Sequence, residues 1–386
     1  MTEKTDPKHN LLLHSKAKVA FYKSYLERYL RILCLSKYIN NVNIYDVFCG
    51  MGIYEGGGKG SPVVAFDAIN SFFAEWNSKT KTKVTLIFND KSVKNINKVR
   101  NYIDAQPHKF CSIQYFNKDI EEMFEIVQNA VTQTKRDTRN IIFIDPYGYK
   151  NIRKDLLLNL MENKKTEIIL FLPISHMYRF TRTAVEDDTI IQYEPLRRFV
   201  YSFFPENHPI TKSNINIMEY IQYITKALKF NGQFYTTSYY IERDATNHFA
   251  LFFISPHIFG FEKILEVKWL LDEESGKGFR LPESQGNLFT EYFSEEAKIN
   301  NAERLKTILA NALIEPKNNI ELYEIILDNE YLPKHAIDIL TKWQMSKRNF
   351  KVIDIVTNKP ARKKSFYISY EYHKQAAKVK FIIEKL

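Results

Sequence analysis

Between residues 42 and 175 the sequence alternates short apolar runs with longer amphipathic runs, and this alternation limits the folds open to the chain. Apolar runs of strand length begin near residues 42, 83, 110, 140 and 166, and a run with helical periodicity follows each of the first four. Apolar strands separated by helices predict a parallel sheet covered on both faces. The helical run 61–76 opens with Ser61 and Pro62, which we interpret as its N-cap and first residue.

The second part of this region predicts how the sheet ends. Residues 176–232 are of mixed character and are interpreted as a helical insertion. Two β-like runs follow at 233–242 and 248–255, joined by a connection of hairpin length. We therefore predict an α/β, Rossmann-like sheet of five parallel strands plus an antiparallel terminal pair. This is the strand count and ending of a class I methyltransferase sheet, whereas a nicotinamide-binding domain more often ends with another parallel unit.

The 386 residues are too many for one ordinary domain and suit two. Near the end, two helical runs at 321–330 and 332–345 precede two strand-like runs at 350–356 and 365–370, with the basic stretch "TNKPARKK" between the strands. This order is typical of a winged helix. The predicted organisation is an N-terminal helix packing on the core (1–40), a Rossmann-like methyltransferase domain (41–275), a linker with a helix (276–315) and a basic winged-helix-like domain (316–386).

Charge favours an anionic partner, because the chain carries a formal net charge of +10. Residues 316–386 hold 14 lysines and arginines against 8 aspartates and glutamates. Such a basic region suits phosphate contacts, so we predict nucleic-acid binding. The alternatives are a winged module that docks protein through a solvated basic hairpin, or a basic protein with no nucleic-acid role. The predicted contact residues are Lys334, Lys359, Arg362, Lys363 and Lys364.

The three cysteines, Cys34, Cys49 and Cys111, are far apart and lack CxxC spacing. We interpret them as buried thiols in a reducing compartment, and we predict no metal site. No apolar run approaches the roughly 20 residues that span a bilayer. The sequence therefore predicts a cytoplasmic protein without a membrane partner.

The stretch "YDVFCGMGIYEGGGKGSP" (45–62) holds six of the chain's 12 glycines directly after the first predicted strand. Glycine allows close approach of a ligand to the backbone and permits positive φ. The G-x-G-x-x-G dinucleotide fingerprint fails, because Glu55 occupies its last position. A flexible glycine loop without a ligand is the alternative interpretation.

Acidic residues follow the next two strands. Asp90 ends the second strand, where a carboxylate can accept hydrogen bonds from both ribose hydroxyls. Asp119 ends the third strand, where an acid can accept from the exocyclic amine of adenine. Each residue could instead be a plain helix N-cap.

The fourth strand ends in "IDPYGYK" (144–150). A carboxylate and a carbonyl at this place can hold an amino group that must become nucleophilic, and Tyr147 or Tyr149 can position a planar base. The alternative is a strand-ending turn with Pro146 at its second position.

At these motifs the chain resembles the three-Cys-motif partner protein family, often abbreviated TcmP. The segments "IFNDK", "FIDPYGYKNI", "HFALFFISPHIFGFEKI" and "LPKHA" carry the resemblance together with the glycine stretch, in order over about residues 8–372. The matching motif residues are Asp46, Phe48, Cys49, Gly50, Gly52, Tyr54, Gly60, Ser61 and Pro62, and then Asp145, Pro146, Tyr147 and Gly148.

The resemblance implies a class I S-adenosylmethionine-dependent methyltransferase fold and a three-cysteine radical-SAM-like protein as partner. It does not imply a substrate. Gly148 stands where amino-methyltransferases have an aromatic residue, which puts base methylation in doubt and leaves cofactor binding untouched.

Our leading hypothesis is an S-adenosylmethionine-dependent methyltransferase-like protein that acts on or binds nucleic acid. The predicted cofactor-binding residues are Asp46, Phe48, Gly50, Gly52, Tyr54, Asp90 and Asp119, and the predicted catalytic residues are Asp145, Pro146 and Tyr147. Methyl transfer depends mainly on alignment of donor and acceptor. The alternative hypothesis is a non-catalytic adaptor that keeps the fold and binds nucleic acid or a partner.

Overall fold

The chain divides into two compact units, Met1–Gly260 with Lys277–Pro282 and Phe261–Gly276 with Glu283–Leu386. The computed structural model describes residues 11–107, 109–212, 215–280, 301–346 and 349–384. The start of the predicted N-terminal segment (1–10) and most of the predicted linker (281–300) lie outside the described residues. The boundary after Gly260 falls inside a helix and precedes the boundary predicted at 275.

A single mixed sheet organises the described part of the first unit. Its strands are β1 (Asn41–Asp46), β2 (Lys83–Asn89), β3 (Ser112–Phe116), β4 (Thr138–Ile144), β5 (Thr166–Leu172), β6 (Tyr235–Asp244), β7 (Asn247–Ser255) and β8 (Gly278–Phe279). Their order is β3-β2-β1-β4-β5-β7-β6-β8. Strands β1 to β5 are parallel, and β7 runs antiparallel to both β5 and β6. The predicted five parallel strands with an antiparallel terminal pair are confirmed, in the strand order of a class I methyltransferase sheet.

Helices connect the parallel strands and cover the sheet. They are α1 (Leu13–Cys34), α2 (Ser61–Trp76), α3 (Val93–Asp104), α4 (Ile120–Thr132) and α5 (Lys154–Met161). The predicted helical insertion is present between β5 and β6 and contains α6 (Ile174–Glu186), α7 (Glu194–Phe203), α8 (Pro209–Lys212) and α9 (Ile217–Ala227). Helix α10 (Ile258–Leu271) follows β7. All seven residues of β5 are buried, as expected for a strand with both faces covered.

Helix α2 begins one residue earlier than its sequence predicts. Its N-cap is Gly60, and the side chain of Ser61 does not cap the helix. The Ser61 hydroxyl lies instead near the Asp46 carboxyl at the end of β1. The serine in this motif therefore belongs to the strand end rather than to the helix start.

The described part of the second unit is built from helices and a small antiparallel sheet. Its elements are α11 (Asn301–Ala312), β9 (Lys317–Asn318), α12 (Asn319–Asp328), α13 (Pro333–Ser346), β10 (Phe350–Asp354), α14 (Tyr370–His373) and β11 (Val379–Ile383). The sheet order is β10-β11-β9. The strand predicted at 365–370 is wrong, because the antiparallel partner of β10 is β11. Phe366 and Ile368 are buried in the core of this unit without forming a strand, which explains their apolar pattern.

Helix α11 belongs to the core of the second unit, where Leu305 and Leu309 are buried. Part of the segment predicted as a linker therefore packs with the C-terminal helices. The name winged-helix-like remains a prediction for this unit.

The three cysteines are free thiols; Cys34 and Cys49 are buried and Cys111 is half-buried. Burial raises the pKa of the Cys34 and Cys111 thiols to about 12, so both stay protonated at neutral pH. Over the described ranges, no helix combines the length and apolarity needed to cross a membrane.

Candidate functional site

The strand order reverses between β1 and β4, and the carboxyl ends of β1 to β4 meet beside this point. Open α/β sheets bind ligands in the crevice outside such a switch point. A cleft of about 480 Å³ lies there. Its walls come from the ends of all four strands: Val47, Phe48, Asn89, Asp90, Lys91, Lys118, Asp119, Ile120, Glu121, Pro146, Tyr147, Gly148, Lys150 and Asn151.

The glycine stretch forms a tight turn directly after β1. Gly50 and Gly52 have φ of +62° and +70°, a backbone region that favours glycine. A Cβ on Gly50 would meet no atom of the described ranges within 4 Å, whereas a Cβ on Gly52 would lie 2.8 Å from Val99 Cγ2. The amide of Gly60 donates to the Gly52 carbonyl at 2.6 Å and closes the turn. Gly52 is thus required for packing, and Gly50 leaves an open space at the backbone.

Asp46 is the last residue of β1 and is 0% exposed, yet neither of its carboxylate oxygens has a hydrogen-bond partner among the described residues. Burial raises the pKa of this carboxyl to about 7; the nearby Ser61 hydroxyl opposes the rise, the charge of Asp145 adds to it, and the Lys18 charge and the Phe48 backbone amide oppose it more weakly. Buried polar groups are normally hydrogen-bonded, so an unpaired carboxylate calls for an explanation. A ligand donor is one such explanation.

Tyr22 of α1 supplies a second unpartnered polar group beside Asp46. Its buried hydroxyl forms no hydrogen bond with the residues that the structure describes, and its ring stacks on Phe143 with 4.4 Å between centroids. Burial raises the pKa of the phenol well above its usual value, and the Asp46 charge raises it further. A ligand donor that entered this space could form hydrogen bonds with the Asp46 carboxylate oxygens and with the Tyr22 hydroxyl oxygen.

Asp90 ties the glycine turn to the end of β2. Its Oδ2 accepts from the Gly50 amide at 3.0 Å, and its Oδ1 accepts from the Ser92 amide and the Asn95 side chain at 2.8 and 3.1 Å. A carboxylate offers about four acceptor positions. Counting donors from the described segments, one position remains on Oδ2, so Asp90 can accept from one ribose hydroxyl rather than from both. The N-cap of α3 is Ser92, not Asp90.

Asp119 is the N-cap of α4, as its alternative interpretation proposed. Oδ1 accepts from the amides of Glu121 and Glu122, both at 3.0 Å. The residue is exposed and lines the cleft, so the structure brings it together with Asp90 and Phe48. Phe48 is half-buried and packs edge-on against Phe124 at 6.5 Å.

Asp145 follows β4, and its Oδ2 forms an ion pair with Lys18 of α1. The two side chains are only 18% and 14% exposed. The Lys18 ammonium also lies 4.7 Å from the centre of the Phe171 ring. Asp145 therefore already has a cationic partner, which the sequence prediction did not foresee.

Pro146 and Tyr147 continue from Asp145 into the wall of the cleft, and Tyr147 is 93% exposed. Tyr54 lies in the small loop closed by the Tyr54 amide and the Gly58 carbonyl at 3.0 Å. Burial raises the pKa of Tyr54. Among the smaller effects, the Lys18 charge lowers this pKa and the Asp145 charge raises it. All the predicted catalytic and cofactor residues thus come from the carboxyl edge of the sheet.

Lys18 and Tyr22 are site residues that the sequence analysis missed. They lie one helical turn apart on α1, on the side that packs against the sheet. The available signal was a lysine four residues before a buried tyrosine on an otherwise apolar face. Long-range pairing of residue 18 with residue 145 cannot be read from that spacing.

The predicted nucleic-acid residues belong to the second unit. Lys359, Arg362, Lys363 and Lys364 are all exposed on the segment after β10. The Lys364 amide donates to the Gln344 side chain at 2.9 Å, which fixes this segment against the C-terminal part of α13. Lys334 is exposed at the start of α13, about 15 Å along the helix from residue 344, so it lies apart from the other four cations.

No family model matches this sequence, and no curated protein matches it. The resemblance to the three-Cys-motif partner family and its three-cysteine partner therefore remain predictions. Among solved structures, an O-methyltransferase from Bacillus cereus in complex with SAH matches with 12% identity and TM-score 0.32, over 60% of this chain and 80% of that chain.

Human methyltransferase-like protein 13 in complex with SAH matches with 10% identity and TM-score 0.33, over 72% of this chain and 99% of that chain. WbdD matches with 9% identity and TM-score 0.34, over 66% of this chain and only 46% of its own length. At such scores we draw nothing about function from these matches, and the fold is established by the strand order itself.

Proposed function

We propose that the first unit binds S-adenosylmethionine and transfers its methyl group. The observation that carries the proposal is the buried Asp46 carboxylate, which has no hydrogen-bond partner in the described part of the chain, next to a glycine turn at the switch point of the sheet. A buried acid in this position calls for a cationic donor, because burial of an unpaired carboxylate is costly. The amino group of a methionine moiety is such a donor.

The other strand ends fit the remaining parts of the cofactor. Gly50 has open space where a ligand can approach the backbone, and Asp90 has one free acceptor position for a ribose hydroxyl. Phe48 and Asp119 line the cleft where an adenine ring would lie. The cofactor would supply an electrophilic methyl group on a sulfonium sulfur. The protein would supply alignment, and Asp145 with Lys18 would face the acceptor.

Calorimetric titration of the full chain tests this proposal, with S-adenosylhomocysteine, NAD and ATP as comparison ligands. We expect micromolar binding of S-adenosylmethionine and S-adenosylhomocysteine alone. Asp46→Asn should weaken binding of S-adenosylmethionine about 10- to 100-fold, because a charge-assisted hydrogen bond is lost. Asp104→Asn, an exposed acid at the end of α3 that pairs with Lys109, is the matched control and should bind normally.

The pH dependence gives an independent readout. Since the Asp46 pKa is raised to about 7, the carboxylate becomes charged as pH rises through 7, and cofactor affinity should rise with it. Asp46→Asn should remove this rise. Failure of the parent protein to bind S-adenosylmethionine at any pH would refute the methyltransferase proposal and favour the adaptor.

As a second candidate function, we propose that the second unit binds nucleic acid. The specific observation is that Lys359, Arg362, Lys363 and Lys364 are exposed together on one segment. Exposed cations contact phosphates and release counterions, which makes binding dependent on salt. Lys334 is not part of this group and is expected to contribute less.

Charge reversal tests the second candidate. A Lys363→Glu/Lys364→Glu variant should bind single- and double-stranded oligonucleotides more weakly, with a flatter dependence of log affinity on log salt. Lys306→Glu, on an exposed face of α11, is the control variant. Unchanged binding and an unchanged salt slope in the double variant would remove this segment from the nucleic-acid interface.

A further inference from the structure

Four aromatic rings form a continuous row beside the cleft, which we call the aromatic row: Tyr149, His176, Phe180 and Tyr193. Neighbouring ring centroids are 5.8, 4.8 and 5.2 Å apart in that order. The interplanar angles are 34°, 52° and 22°. The row begins in the loop after β4 and continues along α6 into the insertion.

The row is held in place and yet open to solvent. The Tyr149 hydroxyl and His176 Nδ1 are hydrogen-bonded at 3.0 Å, and the Tyr149 ring packs edge-on against buried Phe199 at 6.1 Å. His176 is exposed, and the other three rings of the row are half-buried. Aromatic rings that are held in place and remain partly exposed are suited to contact with a planar ligand.

The position of the row connects it to the cleft. Tyr149 lies between Gly148 and Lys150, which both line the cleft, and Tyr147 of the same loop is 93% exposed. Helix α6, which carries His176 and Phe180, starts two residues after β5. The row therefore extends from the carboxyl edge of the sheet, next to the loop that contributes Pro146 and Tyr147 to the wall of the cleft.

The chemistry of the row favours a ring that contains heteroatoms. Burial lowers the pKa of His176, with the Arg179 charge as a smaller cause, so the imidazole is neutral at pH 7. If Nδ1 accepts the Tyr149 proton, Nε2 carries the hydrogen and can donate to a ring nitrogen or carbonyl. The exposed Lys150 beside Tyr149 adds a cation near the row that suits a phosphate.

We propose that the aromatic row binds the planar heteroaromatic ring of the methyl acceptor, a nucleobase in a free nucleoside or in single-stranded nucleic acid. The assignment of this ring to an acceptor rests on the methyltransferase function proposed above; binding of the ring does not. Stacking of bases on aromatic side chains tolerates many sequences, because every base has a π-face.

Binding of three kinds of probe tests the row: the four ribonucleosides, a short single-stranded oligonucleotide, and the same oligonucleotide with abasic sites. The variants are Phe180→Ala and His176→Ala, the second of which removes an exposed ring and so keeps the test valid if the first does not fold. Both should bind the base-containing probes about 5- to 140-fold more weakly than the parent. Tyr201→Ala, a 42% exposed tyrosine of α7 outside the row, should bind like the parent.

Preference for nucleosides or for the intact oligonucleotide would identify the source of the ring, and either supports the row. Three results would overturn the proposal. They are no binding of the probes by the parent protein, binding by both row variants that is as tight as binding by the parent, and binding of the abasic oligonucleotide that is as tight as binding of the base-containing one. S-adenosylmethionine affinity of each variant separates the two proposals. If the row variants bind both S-adenosylmethionine and the base-containing probes as the parent does, only the role of the row is refuted. If the parent binds the base-containing probes but not S-adenosylmethionine, only the methyltransferase function is refuted.

Discussion

The two glycines of the turn after β1 should differ in what an added methyl group costs. Both Gly50 and Gly52 have positive φ, so alanine at either position costs about 1–2 kcal/mol of backbone strain. At Gly50 the new Cβ meets none of the described atoms within 4 Å. At Gly52 it would lie 2.8 Å from Val99 Cγ2, and overpacking of this kind adds about 1–3 kcal/mol. We expect Gly52→Ala to be less stable than Gly50→Ala by about 1–3 kcal/mol.

Urea denaturation monitored by hydrogen-exchange mass spectrometry would measure this difference. The chain has two units, and peptides from β2 and α3 report on unfolding of the first unit alone. Free energies of unfolding that agree within about 0.5 kcal/mol for the two variants would refute the packing role assigned to Gly52.

A compensating substitution sharpens the test. Val99→Ala alone should cost about 2 kcal/mol, since it removes two buried methyl groups. In the Gly52→Ala background it also removes the clash, and the remaining neighbours Pro62 and Val63 lie at ordinary contact distances of 3.4 Å. The double variant should therefore be more stable than the sum of the single variants predicts. Simple additivity would mean that the strain at Gly52 has another source.

Three further outcomes are expected. The pKa of Asp46 is raised to about 7 in the folded protein, so the contribution of this carboxyl to stability is fully present below pH 4 and is lost as pH rises through 7. Asp46→Asn should flatten this part of the curve of unfolding free energy against pH, measured by urea denaturation. In a double-mutant cycle, Lys18→Met and Asp145→Asn should show a coupling of about 1–3 kcal/mol, and independent effects would mean that their ion pair contributes nothing. Tyr25→Phe should cost about 1–3 kcal/mol by removing the 2.5 Å hydrogen bond to buried Glu167, and a stability equal to that of the parent would contradict this.

The sequence predicts the parallel half of the sheet because its signals are local. Each strand from β1 to β5 is a short apolar run followed by a helix, and right-handed crossovers place their carboxyl ends on one edge. The sequence alone therefore assigns the acids at these ends to one region: Asp46, Asp90, Asp119 and Asp145. An acid at a strand end is also a common helix N-cap, as Asp119 is, so the pattern indicates the region of the site and not the role of each residue.

The features that the sequence did not predict depend on distant partners. Strand β7 lies between β5 and β6 because it pairs with β5 on one edge and with β6 on the other. The hairpin pattern in the sequence predicts only the pairing of β6 with β7. The strand predicted at 365–370 was wrong because buried side chains outside strands give the same apolar pattern. The role of Asp90 in fixing the Gly50 amide, and the pairing of Lys18 with Asp145, likewise require folded geometry.

The place of β7 in the sheet has a consequence for synthesis of the chain on the ribosome. Strand β5 is complete at residue 172, but the strand that covers its free edge begins at residue 247, about 75 residues later. At about 5–20 residues per second, the nascent chain would present the unpaired backbone edge of this largely apolar strand for roughly 4–15 seconds. Helices α6 to α9 emerge during this interval, and they are the elements available to shield that edge from other nascent chains until the β6–β7 hairpin completes the sheet.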